Sequence, residues 1–316
     1  MNLQQLQAFC AVSDAGFSVS AAAKSLGISQ PAVSKQIRLL ETHLDLELLI
    51  RHNNRIIGLS AAGQAVFAAA RRTLWEAENL QRVREEFTQQ GGGRLVIATT
   101  HIYARHVLRP VIQDFMHCHP DVRLVLRQGS AAMISQWLIS GEADIGVSSN
   151  SDEVHDEVAF LPCAALYRSV FAPAKHPVLR EKNLTLKALA KYPFIIMDTS
   201  LEGGRAVLGA FDRAGLKPNV VLSALDTEVV KSYVELGLGI AVLLSIAYER
   251  NHDRGLGVVD VAKLFPPTVP AVLLRRGGYL RGYMHDFIER LAPQWDRASV
   301  DAAIRSGVTS SAIAAE

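Results

Sequence analysis

Two periodicities divide the chain. Up to about residue 88, apolar positions recur at three- and four-residue steps, the spacing of helices that bury one face. From Arg94 onward, short β-branched runs alternate with helical stretches. The runs are RLVIATT, VRLVLRQG, ADIGVSS, SVFAPA, PFIIMDT, NVVLSAL and GIAVLL. Strands alternating with helices predict βαβ units and a mostly parallel sheet. About 210 residues is generous for one such lobe. Two lobes with a cleft between them are the expected arrangement.

Residues 61 to about 88 contain no proline and are rich in Ala, Glu, Arg and Gln, which predicts one continuous helix. At ~1.5 Å per residue it is about 40 Å long. Val66, Ala70, Thr73, Ala77, Leu80 and Phe87 form a heptad-like stripe, with Arg84 in one place of the series, and predict pairing with a second copy of the chain, although one amphipathic helix packed on its own domain has the same spacing. Gly91, Gly92 and Gly93 then break the helix and serve as a hinge.

The segment GFSVSAAAKSLGISQPAVSKQIRLLE has helix punctuation at both ends. Ser18 or Ser20 caps a helix through Leu26, Gly27 follows its C-terminus, and Ser29 caps the next helix with Pro31 in its first turn. Helix, tight glycine turn and helix make a helix-turn-helix. Val33, Ile37, Leu40 and Leu44 share the core side of the second helix. Ser29, Gln30, Pro31, Ser34, Lys35 and Arg38 mark its start and its opposite side. Gln suits adenine edges, Lys and Arg suit guanine or phosphate, and helix N-terminal amides suit phosphate. The stretch LDLELLIRHNNRIIGLSAAG predicts a hairpin wing around Asn53-Asn54, from which Arg51 and Arg55 can reach the DNA backbone or minor groove.

Composition adds constraints. The chain is 49% hydrophobic and 20% charged with a net charge of +2, an ordinary globular profile too mild to imply nucleic acid by itself. No apolar run reaches the ~18 residues of a spanning helix, and MNLQQLQAFC does not read as a secretory signal. Cys10, Cys118 and Cys163 are too dispersed for a disulfide framework, and a reducing, cytoplasmic setting is expected, with no membrane partner. His117, Cys118 and His119 point in different directions and predict no metal site. GLGIAV lacks dinucleotide spacing, and neither G-x-S-x-G nor H-E-x-x-H occurs, so no enzyme chemistry has an anchor.

In open α/β sheets, ligands bind beyond the carboxyl ends of strands. The residues there are Thr99 and Thr100, Gly129 and Ser130, Ser148 and Ser149, and Thr199 and Ser200. Hydroxyls beside helix N-termini make a neutral anion site, although plain N-capping uses the same residues.

SAAAKSLGISQPAVSKQIRLLE, the wing and GLSAAG together resemble the winged helix-turn-helix of LysR-type transcriptional regulators. IATTH, RQGS at Arg127–Ser130, LPC at Leu161–Cys163, FDRAGLKPNVV, KSYVELGLGIAV and YLRGYMHDFIERLAP resemble the CysB-type subgroup of sulfur assimilation. The resemblance implies an all-α winged helix-turn-helix plus long linker helix, followed by an α/β two-lobed periplasmic-binding-protein-like effector domain. The implied boundaries are 1–60 for the DNA-binding domain, 61–90 for the dimerising linker and 91–300 for the effector domain. Lobe 1 takes about 91–162 and 267–300, lobe 2 about 163–266, and 301–316 form a flexible tail.

It further implies a homotetramer on double-stranded DNA, RNA polymerase as a further partner, and no cofactor beyond a small effector. That effector would be sulfate, an acetylserine or another sulfur metabolite. The first cleft loop departs from the subgroup's TTHTQAR pattern, with Ile102 and Tyr103 replacing two polar donors. Glu202 stands where the subgroup has threonine, and a carboxylate would repel sulfate. Glu202 can also sit benignly at a helix N-terminus or pair with Arg205. If it faces the cleft, the ligand carries an ammonium or a hydroxyl, and inorganic sulfate binds weakly or not at all.

Overall fold

The computed structural model describes residues 1–53, 55–87, 92–149 and 156–306, apart from the side chains of 81, 82 and 85–87. It contains two compact units, one of residues 1–91 with 139–142 and one of 92–138 with 143–316.

The first unit opens with α1 (Leu3–Asp14), α2 (Val19–Leu26) and α3 (Gln30–Leu44). Asn2 and Gln5 form a reciprocal capping box on α1. Ser18, rather than Ser20, caps α2 through the Ala21 amide, and Gly27 ends it at φ 66°, a conformation that costs a residue with a side chain. Ser29 caps α3 through the Ala32 amide. Val33, Ile37 and Leu40 are buried against Leu6, Phe9 and Val12 of α1, and Leu44 packs at the edge of this core. The hairpin β1 (Leu49–His52) and β2 (Arg55–Leu59) turns at Asn53, φ 48°, and adds two strands to an otherwise helical domain. Asn54 lies outside the described residues.

The long helix α4 (Ala61–Phe87) follows. Its predicted stripe divides in two. Val66 and Ala70 pack into the winged-helix core, whereas Leu80 is 72% exposed. The Phe87 side chain and Gly91 lie outside the described residues.

The second unit begins with β3 (Gly93–Thr99), α5 (His101–His106), α6 (Leu108–Cys118), β4 (Val122–Gln128), α7 (Ala131–Ser140), β5 (Ile145–Ser148) and β6 (Val158–Pro162). The chain then crosses into β7 (Arg168–Pro173), α8 (Leu186–Leu189), β8 (Pro193–Met197), α9 (Glu202–Arg213), β9 (Asn219–Ala224), α10 (Thr227–Glu235), β10 (Ala241–Leu244) and β11 (Leu256–Asp260). It returns through β12 (Ala271–Arg275), α11 (Gly282–Leu291) and α12 (Arg297–Ser306).

Lobe 1 holds a five-stranded sheet in the order β4-β3-β5-β12-β6, and lobe 2 holds β10-β7-β11 beside β8-β9, joined by a Phe194–Ile240 bridge. The expectation of mostly parallel sheets is corrected. Pairings β3-β4, β3-β5 and β8-β9 are parallel, but β12 runs antiparallel to β5 and β6, and β7 runs antiparallel to β10 and β11. The physical reason is the double crossing: β12 enters the lobe 1 sheet on its way back from lobe 2, in the reverse direction. The flexible tail is corrected too. Residues 301–306 continue α12 because Val300, Ala303 and Ile304 are buried in the lobe 1 core. Residues 307–316 lie outside the described residues.

Candidate functional site

Register places the strand ends together. In lobe 1, Thr99 pairs with Gln128 and with Val147, so the loops opening α5 and α7 and the end of β5 leave the sheet side by side. In lobe 2, Met197 pairs with Ala224, which aligns the loops that open α9 and α10. These loops enclose a cavity of about 370 Å³, within the range of small-molecule sites.

Nine of the eleven predicted effector residues line it: Thr100, Ile102, Tyr103, Gly129, Ser130, Ser148, Ser149, Ser200 and Glu202. Thr99 and Thr199 do not. Thr99 is fully buried and its hydroxyl donates to the Val147 carbonyl at 2.9 Å. Thr199 is exposed and its carbonyl accepts from Arg205 Nη1 at 3.3 Å. Strand-end position alone does not decide: Ser148 and Met197, the last residues of β5 and β8, line the cavity, whereas Thr99, the last residue of β3, does not.

The hydroxyls differ in what already holds them. Ser130 Oγ accepts from the Met133 amide at 3.3 Å. Thr100 opens α5, yet its hydroxyl makes no capping bond, and Oγ1 is buried without a partner among the described residues. A buried hydroxyl without a partner costs free energy that a bound acceptor or donor would recover. Tyr103 is 2% exposed, and burial pushes its phenol above the ordinary range, although a hydrogen bond with Ser149 opposes this. It acts as a neutral phenol.

Glu202 does line the cavity, but its partner is not Arg205. Arg168 Nη2 lies 3.2 Å from Glu202 Oε1, with the Arg168 side chain 1% exposed and that of Glu202 31% exposed. Thr268 Oγ1 also donates to Glu202 and accepts from Arg168 Nη2 at 2.8 Å. Arg168 Nη1 donates to the Pro266 carbonyl at 2.6 Å. Arg205 instead holds the Thr199 and Ser200 carbonyls, shaping the loop that opens α9. A Cβ at Gly204 would run into the Met197 and Asp198 carbonyls, so only glycine lets α9 start this close to β8.

Arg168 was beyond sequence reasoning because a lone arginine opening an apolar strand looks like an exposed end. Its only signal is Glu202, 34 residues away. Met197, Leu225, Asp226 and Thr227 also line the cavity and follow the same strand-end rule. Asp226 Oδ1 caps α10 through the Glu228 and Val229 amides.

In the winged-helix unit, Gln30, Pro31, Ser34, Lys35 and Arg38 form one open concave face with Val19, Leu39 and Thr42. Ser29 is exposed at the same helix end. Arg55 is exposed on the wing. Arg51 is engaged: Nη2 lies 2.7 Å from Glu41 Oε2. Glu41 Oε1 also accepts from the Leu48 and Leu49 amides. Burial raises the Glu41 carboxyl, but these three donors outweigh it and hold the group below the usual carboxylate range. Glu41 therefore fastens the wing to α3.

The two assemblies define the class: a winged helix with a polar, basic reading face, and a two-lobed α/β domain with a ligand-sized cavity between its lobes. Residues 3–64 match the family of bacterial regulatory helix-turn-helix proteins of lysR type, and residues 88–296 match the LysR substrate binding domain. The chain is 40% identical to the HTH-type transcriptional regulator SsuR of Burkholderia cenocepacia, over 98% of this chain and 100% of that protein. It is 37% identical to the HTH-type transcriptional regulator CysB of the same organism, over 96% of this chain and 97% of that protein. The crystal structure of the cofactor-binding domain of the Cbl transcriptional regulator is similar at a TM-score of 0.65 and 33% identity, covering 69% of this chain and 96% of that one. The chain belongs to the LysR family. It is a DNA-binding transcriptional regulator and not an enzyme.

Proposed function

We propose that the chain regulates genes of sulfur and cysteine metabolism, with a small anionic or amino-acid-like sulfur metabolite bound between the two lobes as effector. The observation that carries this reading is the cavity itself. Strand-end hydroxyls converge on it, and the Thr100 hydroxyl lies buried there without a partner among the described residues. The likeness to SsuR and CysB over nearly the whole chain supports the metabolic assignment.

DNA is read by Gln30, Ser34, Lys35 and Arg38 on α3, with Ser29 and Pro31 placing the helix end, and Arg55 and Arg51 contribute from the wing. The chain acts in the cytoplasm as a homo-oligomer, a dimer through α4 and then a tetramer, and RNA polymerase reads the occupied promoter. The effector binds the two arrangements of the lobes unequally and so shifts DNA affinity or bending.

The test is calorimetric titration of the full chain with sulfate, thiosulfate, O-acetylserine and N-acetylserine, followed by a gel-shift titration with and without whichever binds. Binding together with altered operator affinity is expected. Silence across the panel, with operator affinity unchanged by every compound, overturns the effector assignment.

A further inference from the structure

The charged groups of the cavity are unevenly placed. Among the described residues, lobe 1 contributes hydroxyls, the His101 imidazole and the start of the ten-residue helix α7, without a lysine, arginine or carboxylate. Every carboxylate and guanidinium of the lining among the described residues comes from lobe 2: Glu202 and Asp226 against Arg168 and Arg205. Their formal charges cancel.

They do not cancel locally. Both terminal nitrogens of Arg168 are already engaged by Pro266, Thr268 and Glu202, and its side chain is 1% exposed. Glu202 stands in front of it, 31% exposed. Arg205 spends Nη1 on two backbone carbonyls. A ligand approaching the lobe 2 wall therefore meets the Glu202 carboxylate before the Arg168 guanidinium, with the exposed Arg205 at the start of the same helix. Arg168 keeps Glu202 ionised and fixed, while each carboxylate oxygen retains capacity for a further donor.

The opposite wall has the reverse preference. The Thr100 hydroxyl has no partner among the described residues, Ser130 and the Tyr103-bonded Ser149 line the same cavity, and the first amides of α7 favour negative charge. One wall accepts an anion and the other accepts a cation or several donors.

We infer that the effector is a small zwitterion, with its anionic head on the lobe 1 hydroxyls and an ammonium against Glu202. Glu202 is the residue that selects it. The inference rests on the effector reading above and adds the ligand's charge pattern. A bare dianion such as sulfate satisfies the lobe 1 wall and is repelled by the Glu202 carboxylate. A zwitterion spans both, so its binding draws the lobes together.

Two matched pairs of probes test it. 2-Aminoethanesulfonate and ethanesulfonate differ by an ammonium, and O-acetylserine and N-acetylserine are isomers of which only the first keeps it. Titrated calorimetrically into the full chain, the ammonium-bearing member of whichever pair binds is expected to be at least tenfold tighter. Glu202→Gln keeps the shape of the side chain, and in that variant the ratio is expected to collapse to threefold or less. The wild-type ratio stands even if the variant is unstable. Equal binding within a pair, or binding of sulfate with neither zwitterion, overturns the zwitterion inference and leaves the effector site intact. A ratio unchanged in Glu202→Gln removes Glu202 as the selector. Silence from all four probes, sulfate and thiosulfate overturns both readings.

Discussion

Arg105 and Glu249 are 144 residues apart in the chain, and Arg105 Nε lies 3.2 Å from Glu249 Oε1. Arg105 sits near the end of α5 in lobe 1, and Glu249 follows β10 in lobe 2. Arg105 Nη2 also faces Glu228 Oε2 of α10 at 3.4 Å. Both helices begin at the cavity, α5 after Thr100 and α10 at Thr227. The cross-lobe tie thus lies farther along the same helices that line the ligand site.

Removing this tie should cost little stability and noticeable affinity. The Arg105 side chain is 45% exposed, and exposed pairs contribute about 0.2–1 kcal/mol. Arg105→Ala is expected to lower unfolding stability by about 1 kcal/mol or less in urea titration. Effector binding should weaken severalfold because lobe closure loses a contact. An unchanged dissociation constant would separate the tie from closure.

His106 makes the same junction sensitive to pH. Its imidazole, 4% exposed, lies 3.4 Å from Glu249 and 3.6 Å from Glu228. Burial pulls its pKa down, Glu249 and Glu228 raise it, Lys231 and Arg105 lower it, and the net is below the ordinary 6.5. Below pH 6.5 the unfolded chain therefore takes up the proton more readily than the folded one. Stability is complete above that value and falls as pH drops through it towards the folded pKa. Urea midpoints at pH 7.5 and 5.5 should differ more in the wild type than in His106→Gln.

Much of this was legible in local sequence. Ser29, Pro31 and Gly27 announce the helix-turn-helix because capping is decided within four residues. The strand-end rule found Thr100, Ser130 and Ser149 because a parallel strand carries its loop to the ligand face. The rule overreached at Thr99, which the sheet buries, and at Thr199, which lies two residues past β8 and is exposed to solvent. What stayed hidden depends on contacts distant in sequence. The Arg168–Glu202 pair joins β7 to α9, and α12 reads as tail until its apolar face meets the lobe 1 core. The antiparallel β12 was equally hidden, since it is not among the runs the pattern marks as strands and its direction follows from the return out of lobe 2.

A second such contact, in lobe 2, joins Lys231 to Asp253 and to Glu228 Oε1, the latter at 3.0 Å. Lys231 is 3% exposed, and its Nζ donates to Asp253 Oδ2 and to the Ala247 carbonyl, both at 2.9 Å. Breaking a buried pair from one side leaves an uncompensated charge, at about 3–5 kcal/mol. Lys231→Met is expected to destabilise the chain by that amount in urea unfolding. The double variant Lys231→Met with Asp253→Leu should recover part of the loss.

On the reading face, Lys35 is exposed at the middle of the concave surface of α3. Lys35→Ala should weaken operator binding, and if the contact is to phosphate, the slope of log affinity against log salt should fall by about 0.9. Glu41→Gln should act indirectly, loosening Arg51 and the wing without removing a basic group. Fluorescence anisotropy titrations at several salt concentrations distinguish the two, because only Lys35→Ala changes the slope.

The exposed half of the α4 stripe gives the last prediction. Val66 and Ala70 are spent on the winged-helix core, so a partner helix can use only the positions beyond them. Leu80, at 72% exposure, is the largest apolar side chain of that part of the stripe among the described residues. Burying a leucine contributes about 1.5–3 kcal/mol, and a symmetric dimer buries it twice. Leu80→Glu should therefore weaken dimerisation by about 3–6 kcal/mol, or roughly 10²- to 10⁴-fold. Sedimentation at low micromolar concentration should show the variant as monomer where the wild type is oligomeric. A variant that sediments like the wild type would mean that α4 is not the dimer seam.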